Sequence, residues 1–447
     1  MKIPLALFGL FLGTTLSHAS GPPAAGPGPE SKIFDVRAFG AKGNGTNLDT
    51  QAIQKALDAC GGSGGGVVEF PAGIYLSQPL KIRSQTTVLL HAGATLLACT
   101  NQSDFMKVPG DWLQAKSSGD FIPFLGGKDL INVTFTGRGT IDGQGAAWWG
   151  EAELARQKKP GYTLPRPNLI VLERCRNLRM ENLTLQNSPK FHFVPTDCDG
   201  VVVSNVTITA PAHAANTDAI DPSVCRNVLI THCYIDVGDD NVAIKSGRKI
   251  AGREFASEDI TVTDCVFRHG HGMSIGSETV GGVRHVTVRN CTFEDTENGL
   301  RIKSQRGKGG VVEDISYHDI SMKNVNPAIT LTCYYMNSSA GDPAPAGGSG
   351  NLPTVTTASN TPVYRNIQIR NLEATCTAAA GIINGLPECM ISNVVLENVH
   401  ISAAKSFEVR NARGIRLENA LVTAKAGPPF VTEDAQIEGL EPVTGKQ

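Results

Sequence analysis

The chain has 447 residues, of which 18% are charged, and its formal net charge is −2. So even a balance gives no global attraction for nucleic acid or for an anionic membrane surface, and any preference for an acidic substrate has to be built locally. Length alone allows two or three average domains, but a repeat fold of this size can be one unit.

The N-terminus reads as an export signal. Lys2 precedes an apolar run over residues 3–16, and small residues follow at Ser17 and Ala19, which predicts a secretory signal spanning residues 1–19. The run is too short to cross a bilayer. The expected mature protein is soluble and secreted, extracellular or, from a Gram-negative source, periplasmic. Residues 20–31, rich in Gly, Pro and Ala, are a predicted flexible linker.

Beyond the linker, Asp49 is a candidate N-cap for a short amphipathic helix carrying Ala52, Ile53, Ala56, Leu57 and Cys60, and the glycines from Gly61 to Gly66 end it. These glycines follow a helix and precede a strand-like run at residues 67–70. A phosphate-binding loop has the opposite order, so no nucleotide site is expected here.

From there the chain repeats itself. Leu178, Val201, Val228, Ile260, Val286, Ile315, Ile367, Val394 and Ile415 recur at intervals of 23, 27, 32, 26, 29, 52, 27 and 21 residues. Periods in this range mean a solenoid. Each repeat is rich in β-branched residues, alternates with period two and turns at Asn, Asp or Gly, so the predicted fold is an all-β, right-handed parallel β-helix. Its catalytic domain is expected over residues 32–427, with the N-terminal helix covering an open end of the stack that would otherwise expose unpaired strand edges. The long interval is expected to hide one extra turn containing residues 329–335. Residues 147–167, with Trp148 and Trp149, read as a loop beside the cleft, with a helical spacing conceivable only at residues 151–157. Residues 337–362 read as an inserted mobile loop, and residues 428–447 as a tail outside the repeat.

All eleven cysteines lie after the signal, and export permits disulfides. The odd count leaves at least one unpaired. Cys233, Cys265 and Cys291 share one register in three repeats, which suggests an interior stack of small apolar side chains at least as strongly as bridges. There is no zinc-like spacing, so no structural metal is expected.

Four polar clusters follow four successive strand-like runs: Asn216-Thr217-Asp218, Gly238-Asp239-Asp240, Gly270-His271-Gly272 and Arg301-Ile302-Lys303. Parallel strands about 4.8 Å apart would bring them to one face. Neighbouring side chains on a strand point to opposite faces, so Asp239 and Asp240 can share a cleft only if the backbone bends, and Gly238 supplies that freedom. Arg301 and Lys303, two apart, fall on one face. For an isolated Asp-Asp a solvated turn is the default reading; its coincidence with Asp218 one repeat earlier and His271 one repeat later favours an acid–base site for an anionic polymer. His269 is an alternative to His271, and Asp218, Asp221, Asp239 and Asp240 could instead form a calcium site. A serine-nucleophile elbow is missing.

These clusters, within the strings NTDAID (216–221), GDDNVAIK (238–245), GHGMSIGSET (270–279) and NGLRIKS (298–304), resemble the polygalacturonases of glycoside hydrolase family 28, and the bacterial endopolygalacturonases in particular. With the FGAKGNG opening the resemblance covers about residues 33–425. It implies a right-handed parallel β-helix that hydrolyses α-1,4-galacturonan with inversion, without cofactor or metal, as a monomer and with no nucleic-acid or membrane partner. It implies Asp239 as general acid, Asp218 and Asp240 as the pair that activates water, and His271 as the residue that tunes the acid. Arg301, Lys303, Asn216 and a cleft tyrosine, Tyr335 or Tyr334, are implied as substrate ligands. On the residues alone, a polysaccharide lyase on the same fold, a non-catalytic carbohydrate-binding β-helix, an exo-acting enzyme and a hydrolase of rhamnogalacturonan or xylogalacturonan stay open. Asp239, crowded by two carboxylates, is expected to have a raised pKa.

Overall fold

The computed structural model describes residues 32–108, 110–159, 162–247, 256–335 and 354–440. The predicted signal and linker, and residues 337–353 of the insertion, lie outside the described residues.

The chain winds as a parallel β-helix. Every nearest-neighbour pairing between its named strands is parallel, and parallel strands joined by crossovers wind right-handed. The apolar position read from the sequence is a true ladder: Leu178, Val201, Val228, Ile260, Val286, Ile315, Ile367, Val394 and Ile415 pair in that order. Alternation sends Val228 and Ile230 inward and leaves Leu229 exposed, and the pattern repeats in each coil.

Corners are made by residues that tolerate a left-handed backbone. Asn182, Asn205, Asp264 and Asn290 have φ of 60°, 55°, 57° and 49°, a conformation that Asn and Asp adopt more readily than other residues with a Cβ. Stacked coils put these corners above one another, so their side chains bond along the axis: Asn205 donates to Asn182 at 2.7 Å, Asn371 to Asp319 at 2.9 Å and Asn419 to Asn398 at 2.8 Å. The interior is a file of Val, Ile and Leu with stacked aromatics such as Phe267 and Phe293, whose ring centroids are 4.9 Å apart. Cys233, Cys265 and Cys291 sit in this core, as does a second file of Cys175, Cys198 and Cys225. All eleven cysteines are free thiols, nine of them buried, and Cys233, Cys265 and Cys291 each donate to a backbone carbonyl two residues earlier, so the interior-stack reading holds over bridges.

Helix Thr50–Gly62 buries Ile53, Ala56, Leu57 and Cys60 against the first strands. Asp49 occupies its N-cap position without capping; its carboxylate instead accepts from the backbone N–H groups of Lys42 and Gly43, at 2.6 and 2.9 Å.

Three expectations need correction. The 52-residue interval contains no extra turn, because Ile315 pairs directly with Ile367 and strand Ile329–Thr332 belongs to another face of the same coil. Residues 147–167 are not all loop: Ala146–Lys158 is a helix that buries Trp148 and Ala152. Too few of its residues are buried to leave an apolar stripe; Trp148, edge-on to Trp112, Phe105 and Phe121, anchors it. The stack also runs past residue 427, since strand Phe430–Glu438 pairs with the preceding coil through Phe407–Phe430 and Ile415–Ile437. As the last rung it is covered on one side only, so the alternation that marks inner rungs is weak there.

One face of the coil positions the site. Strands Leu80–Lys81, Leu125–Lys128, Ile170–Glu173 and Phe193–Thr196 stack in register. Bridges from Phe193 to Ile220 and on to Val242 carry the register into Val242–Ile244, Met273–Gly276, Leu300–Lys303 and Ile329–Thr332.

Candidate active site

Every polar cluster picked out in the sequence arrives on the outer side of this face, in consecutive coils. Asp218 lies two residues before Ile220, Asp240 two before Val242, and His271 two before Met273, so the three occupy equivalent positions on successive rungs, each in the turn that leads into the strand rather than in the strand's own alternation. On the next rung Leu300 and Ile302 point into the core while Arg301 and Lys303 point back over the carboxylates.

Glycines permit the crowding. A Cβ on Gly238 would come 2.4 Å from the Ala214 carbonyl oxygen, and one on Gly272, whose φ is +71°, would come 2.1 Å from that of Asn298. Neither approach is possible for a residue with a side chain, so Gly238 is required for Asp239 and Asp240 to turn into the same cleft.

Asp240 is held by two cations. Lys303 Nζ donates to its Oδ2 at 2.8 Å, Arg301 to its Oδ1, and Ser274 Oγ to Oδ1 at 2.8 Å. Burial works to raise its pKa, but Lys303 and then Arg301 outweigh that and hold the carboxyl far below the usual range. Asp218, only 3% exposed, has the opposite fate. Burial first, then the charges of Asp239 and Asp221, push its pKa well above the usual value against the single ammonium of Lys245, 3.3 Å away, and its Oδ1 has no hydrogen-bond partner. Asp221, beside Lys245 as well, is pushed up to about 6 by burial.

Asp239 departs from the expectation drawn from the sequence. Burial and Asp240 act to raise it, yet it is held below the usual carboxylate range by His271, whose Nδ1 lies 3.0 Å from Asp239 Oδ1. The backbone N–H of Asp240 donates to the same oxygen at 2.8 Å, and the Asn216 backbone N–H and side-chain amide donate to Oδ2 at 3.2 and 3.3 Å. Like-charge repulsion within the cluster therefore falls on Asp218, which has no such donors. His271 gains in turn: burial disfavours its charge, but bonds to Asp239 and to Glu297, 2.9 Å from Nε2, raise it to about 10.

Asn216, expected as a substrate ligand, serves as a support for Asp239 and is itself gripped by Arg166, which is 1% exposed and donates to its Oδ1 at 3.3 Å and to the carbonyls of Pro189 and Ala215. His269 pairs with Asp236 at 2.7 Å and takes no part in the cluster. Tyr335 stands beside the cations, with its ring centroid 4.9 Å from Lys303 Nζ, while Tyr334 packs against the core. An oxygen of Asp239, one of Asp240 and a nitrogen of His271 lie within 4.8 Å of one another. In the calcium arrangement considered from the sequence, Lys245, Arg301 and Lys303 already contact both oxygens of Asp240 and one each of Asp218 and Asp221.

Sequence reading named Asp221 only as a candidate calcium ligand and missed Lys245, Ser274, Glu297, Arg166 and Lys190. Asp221, Lys245 and Ser274 were within reach, since all three lie inside the quoted strings 216–221, 238–245 and 270–279. Glu297, Arg166 and Lys190 sit on turns, where no periodicity marks direction.

Set beside known proteins, this fold and site fall into one class. The family model for glycosyl hydrolases family 28 matches residues 60–421, and the chain belongs to that family. It is 32% identical over 423 residues to an endo-polygalacturonase of Pectobacterium carotovorum subsp. carotovorum, covering 92% of this chain and 96% of that one. Among solved structures it is similar to the polygalacturonase from Erwinia carotovora, with a TM-score of 0.70, 30% identity and coverage of 94% and 100%. An exopolygalacturonase from Thermotoga maritima is matched at a TM-score of 0.70, 25% identity and 93% coverage of each chain.

Proposed function

We propose that this protein hydrolyses the α-1,4 bonds of polygalacturonan with inversion, cutting within the chain. The observation that carries the reading is three clustered carboxylates on two consecutive rungs, two of them held ionised and one pushed toward its neutral form, next to a cation pair. Asp239 is the general acid, hydrogen-bonded to the imidazole of His271. Asp240, kept ionised by Arg301 and Lys303, and Asp218 orient and deprotonate water.

The three carboxylates titrate as one group of coupled sites, and the raised Asp218 means that the cluster retains a proton where isolated carboxyls have lost theirs. A glycosidic oxygen seated at Asp239 draws that proton to the acid. As the C1–O bond breaks, the proton passes to the leaving oxygen, water oxygen bonds to C1, and a water proton goes to the Asp218–Asp240 pair. Activity requires this retained proton, so it peaks below neutral pH. Asp239 and Asp240 approach more closely than the spacing of roughly 6.5 to 9.5 Å usual for acid and base in inverting enzymes, which makes product stereochemistry the deciding measurement. Early-time NMR of the products should show the β anomer first; initial release of the α anomer would replace this mechanism with a retaining one. The same digest should contain a spread of oligomers, whereas monomer or dimer alone would mean end-wise cutting. An ultraviolet-absorbing product would turn the reading to a lyase.

We also propose that the protein is exported, on the strength of the apolar run at residues 3–16. No helix among the described residues is long and apolar enough to cross a membrane.

A further inference from the structure

Most cations around the carboxylate cluster are engaged with it. Arg301 and Lys303 grip Asp240, Lys245 sits between Asp218 and Asp221, and Arg166 is bound to backbone carbonyls and to Asn216. Lys190 is different. Among the described residues no carboxylate oxygen lies within 4.0 Å of its Nζ, and its one hydrogen bond is to Ser118 Oγ at 2.9 Å. The ammonium lies 4.4 Å from the centroid of the Phe191 ring, and the Lys245 ammonium lies 4.3 Å from the same ring. Two positive groups thus share one aromatic platform, one of them unpaired by any acid.

An ammonium without an anion is costly to hold in a poorly hydrated place. Burial, followed by the charge of Lys245, pushes the Lys190 pKa down to about 8. A carboxylate arriving beside it would relieve both effects. Position along the stack matters equally. Lys190 precedes Phe193 by three residues in the coil ahead of Asp218, whereas Arg301 and Lys303 lie in the coil beyond His271. Phe193 and Leu300 are four rungs apart, roughly 19 Å at about 4.8 Å per rung, and the catalytic carboxylates lie between them. Ser118, the partner of Lys190, also lines a cavity of about 910 Å³ whose walls carry Lys81, Arg83, Lys107 and Lys128 together with Asp104 and Glu173.

We propose that Lys190 binds a uronate carboxylate of the substrate on the Asp218 side of the scissile bond, with the Phe191 ring beneath that sugar, as the counterpart of the Arg301–Lys303 clamp on the far side. The proposal rests on the galacturonan reading of the site. Ser118, on a loop distant in sequence, fixes the direction of the ammonium, so that it is aimed before substrate arrives.

Defined galacturonate oligomers of increasing length test it, with a label at the reducing end to show which bond is cut. A charge-assisted hydrogen bond is worth a factor of about ten or more, so Lys190→Met should raise KM about tenfold on oligomers long enough to reach it, with a smaller change in kcat. The deficit in kcat/KM relative to wild type should grow with length, and the preferred bond should shift. Lys190→Arg, which keeps the charge, should recover most of the loss. Unaltered KM and bond preference in Lys190→Met would overturn the proposal, as would a deficit equal at every length, which would mean general damage to the fold. Ser118→Ala offers a milder variant that leaves the lysine in place, and it should produce a smaller deficit with the same length dependence. If wild type released no reducing ends from galacturonan, the functional reading itself would fall; failure of Lys190 alone leaves wild-type hydrolysis intact.

Discussion

Asp218 and Asp240 are the same residue type, on adjacent rungs, equally buried, and they carry opposite protonation tendencies. Asp240 meets two cations and a serine hydroxyl; Asp218 meets two carboxylates and shares one lysine with Asp221. The contrast shows that burial does not assign a carboxylate its role. The charges supplied by neighbouring rungs do, because in a site of low dielectric the balance between desolvation and paired charge is decided by one ammonium more or less.

The largest expected effect removes the group that stands between them. Asp239→Asn should lower kcat on polygalacturonate by roughly 10²- to 10⁴-fold, the usual contribution of a positioned acid, while circular dichroism stays that of wild type; near-normal turnover would sink its assignment as the acid.

The second prediction sets the two halves directly against each other. Asp240→Asn leaves Arg301 and Lys303 facing a neutral amide, and breaking a buried pair in this way costs about 3 to 5 kcal/mol. Asp218→Asn substitutes a neutral group for a carboxyl that burial already favours as neutral, so the midpoint of thermal unfolding should barely fall. Both variants should lose activity, but only the first should lose stability, and equal losses in a denaturant titration would erase the distinction.

Lys303→Met weakens the Asp240 side from the opposite partner. A drop in kcat/KM of roughly ten- to a hundredfold is expected from one charge-assisted bond, and wild type should be more sensitive than the variant to methyl esterification of the substrate. Identical sensitivity would mean that Lys303 serves Asp240 alone.

The smallest effect is in the pH dependence of stability. His271 has a folded pKa of about 10, above its unfolded value of about 6.5. Its contribution is complete below about pH 6.5 and is lost as pH rises through about 10. Asp240, with a depressed pKa, contributes above about pH 4 and loses its contribution as the pH falls below that. The thermal midpoint of wild type should therefore decline on the alkaline side, and His271→Ala should flatten that limb while leaving the acid limb in place. A wild-type alkaline limb that survives the substitution would show that His271 is not its source.

Much of this architecture was legible from residues in order. The nine-member apolar ladder could be read because a parallel coil repeats one environment per turn, so a single inward position carries the same demand each time. For the same reason, four polar clusters spaced one per coil could be placed on one face, and Arg301 and Lys303 could be assigned a common direction by period two. Where a segment stands outside that repetition the reading failed. The helix at Ala146–Lys158 is anchored by one tryptophan, the last strand is covered on one side only, and Ile329–Thr332 belongs to a different face of a coil already counted.

What the sequence alone determined, then, is the fold, the family and which side chains are candidates for the chemistry, all of which follow from local periodicity and from motifs short enough to be contiguous. Tertiary structure decided how those side chains are charged. Two cations reach Asp240 from a strand more than sixty residues away, His271 reaches Asp239 across a rung, and Lys190 is held by Ser118, 72 residues distant in the chain. Electrostatic energies depend on distances of a few ångströms between residues far apart in the chain, and no pattern of neighbours along the backbone encodes those distances.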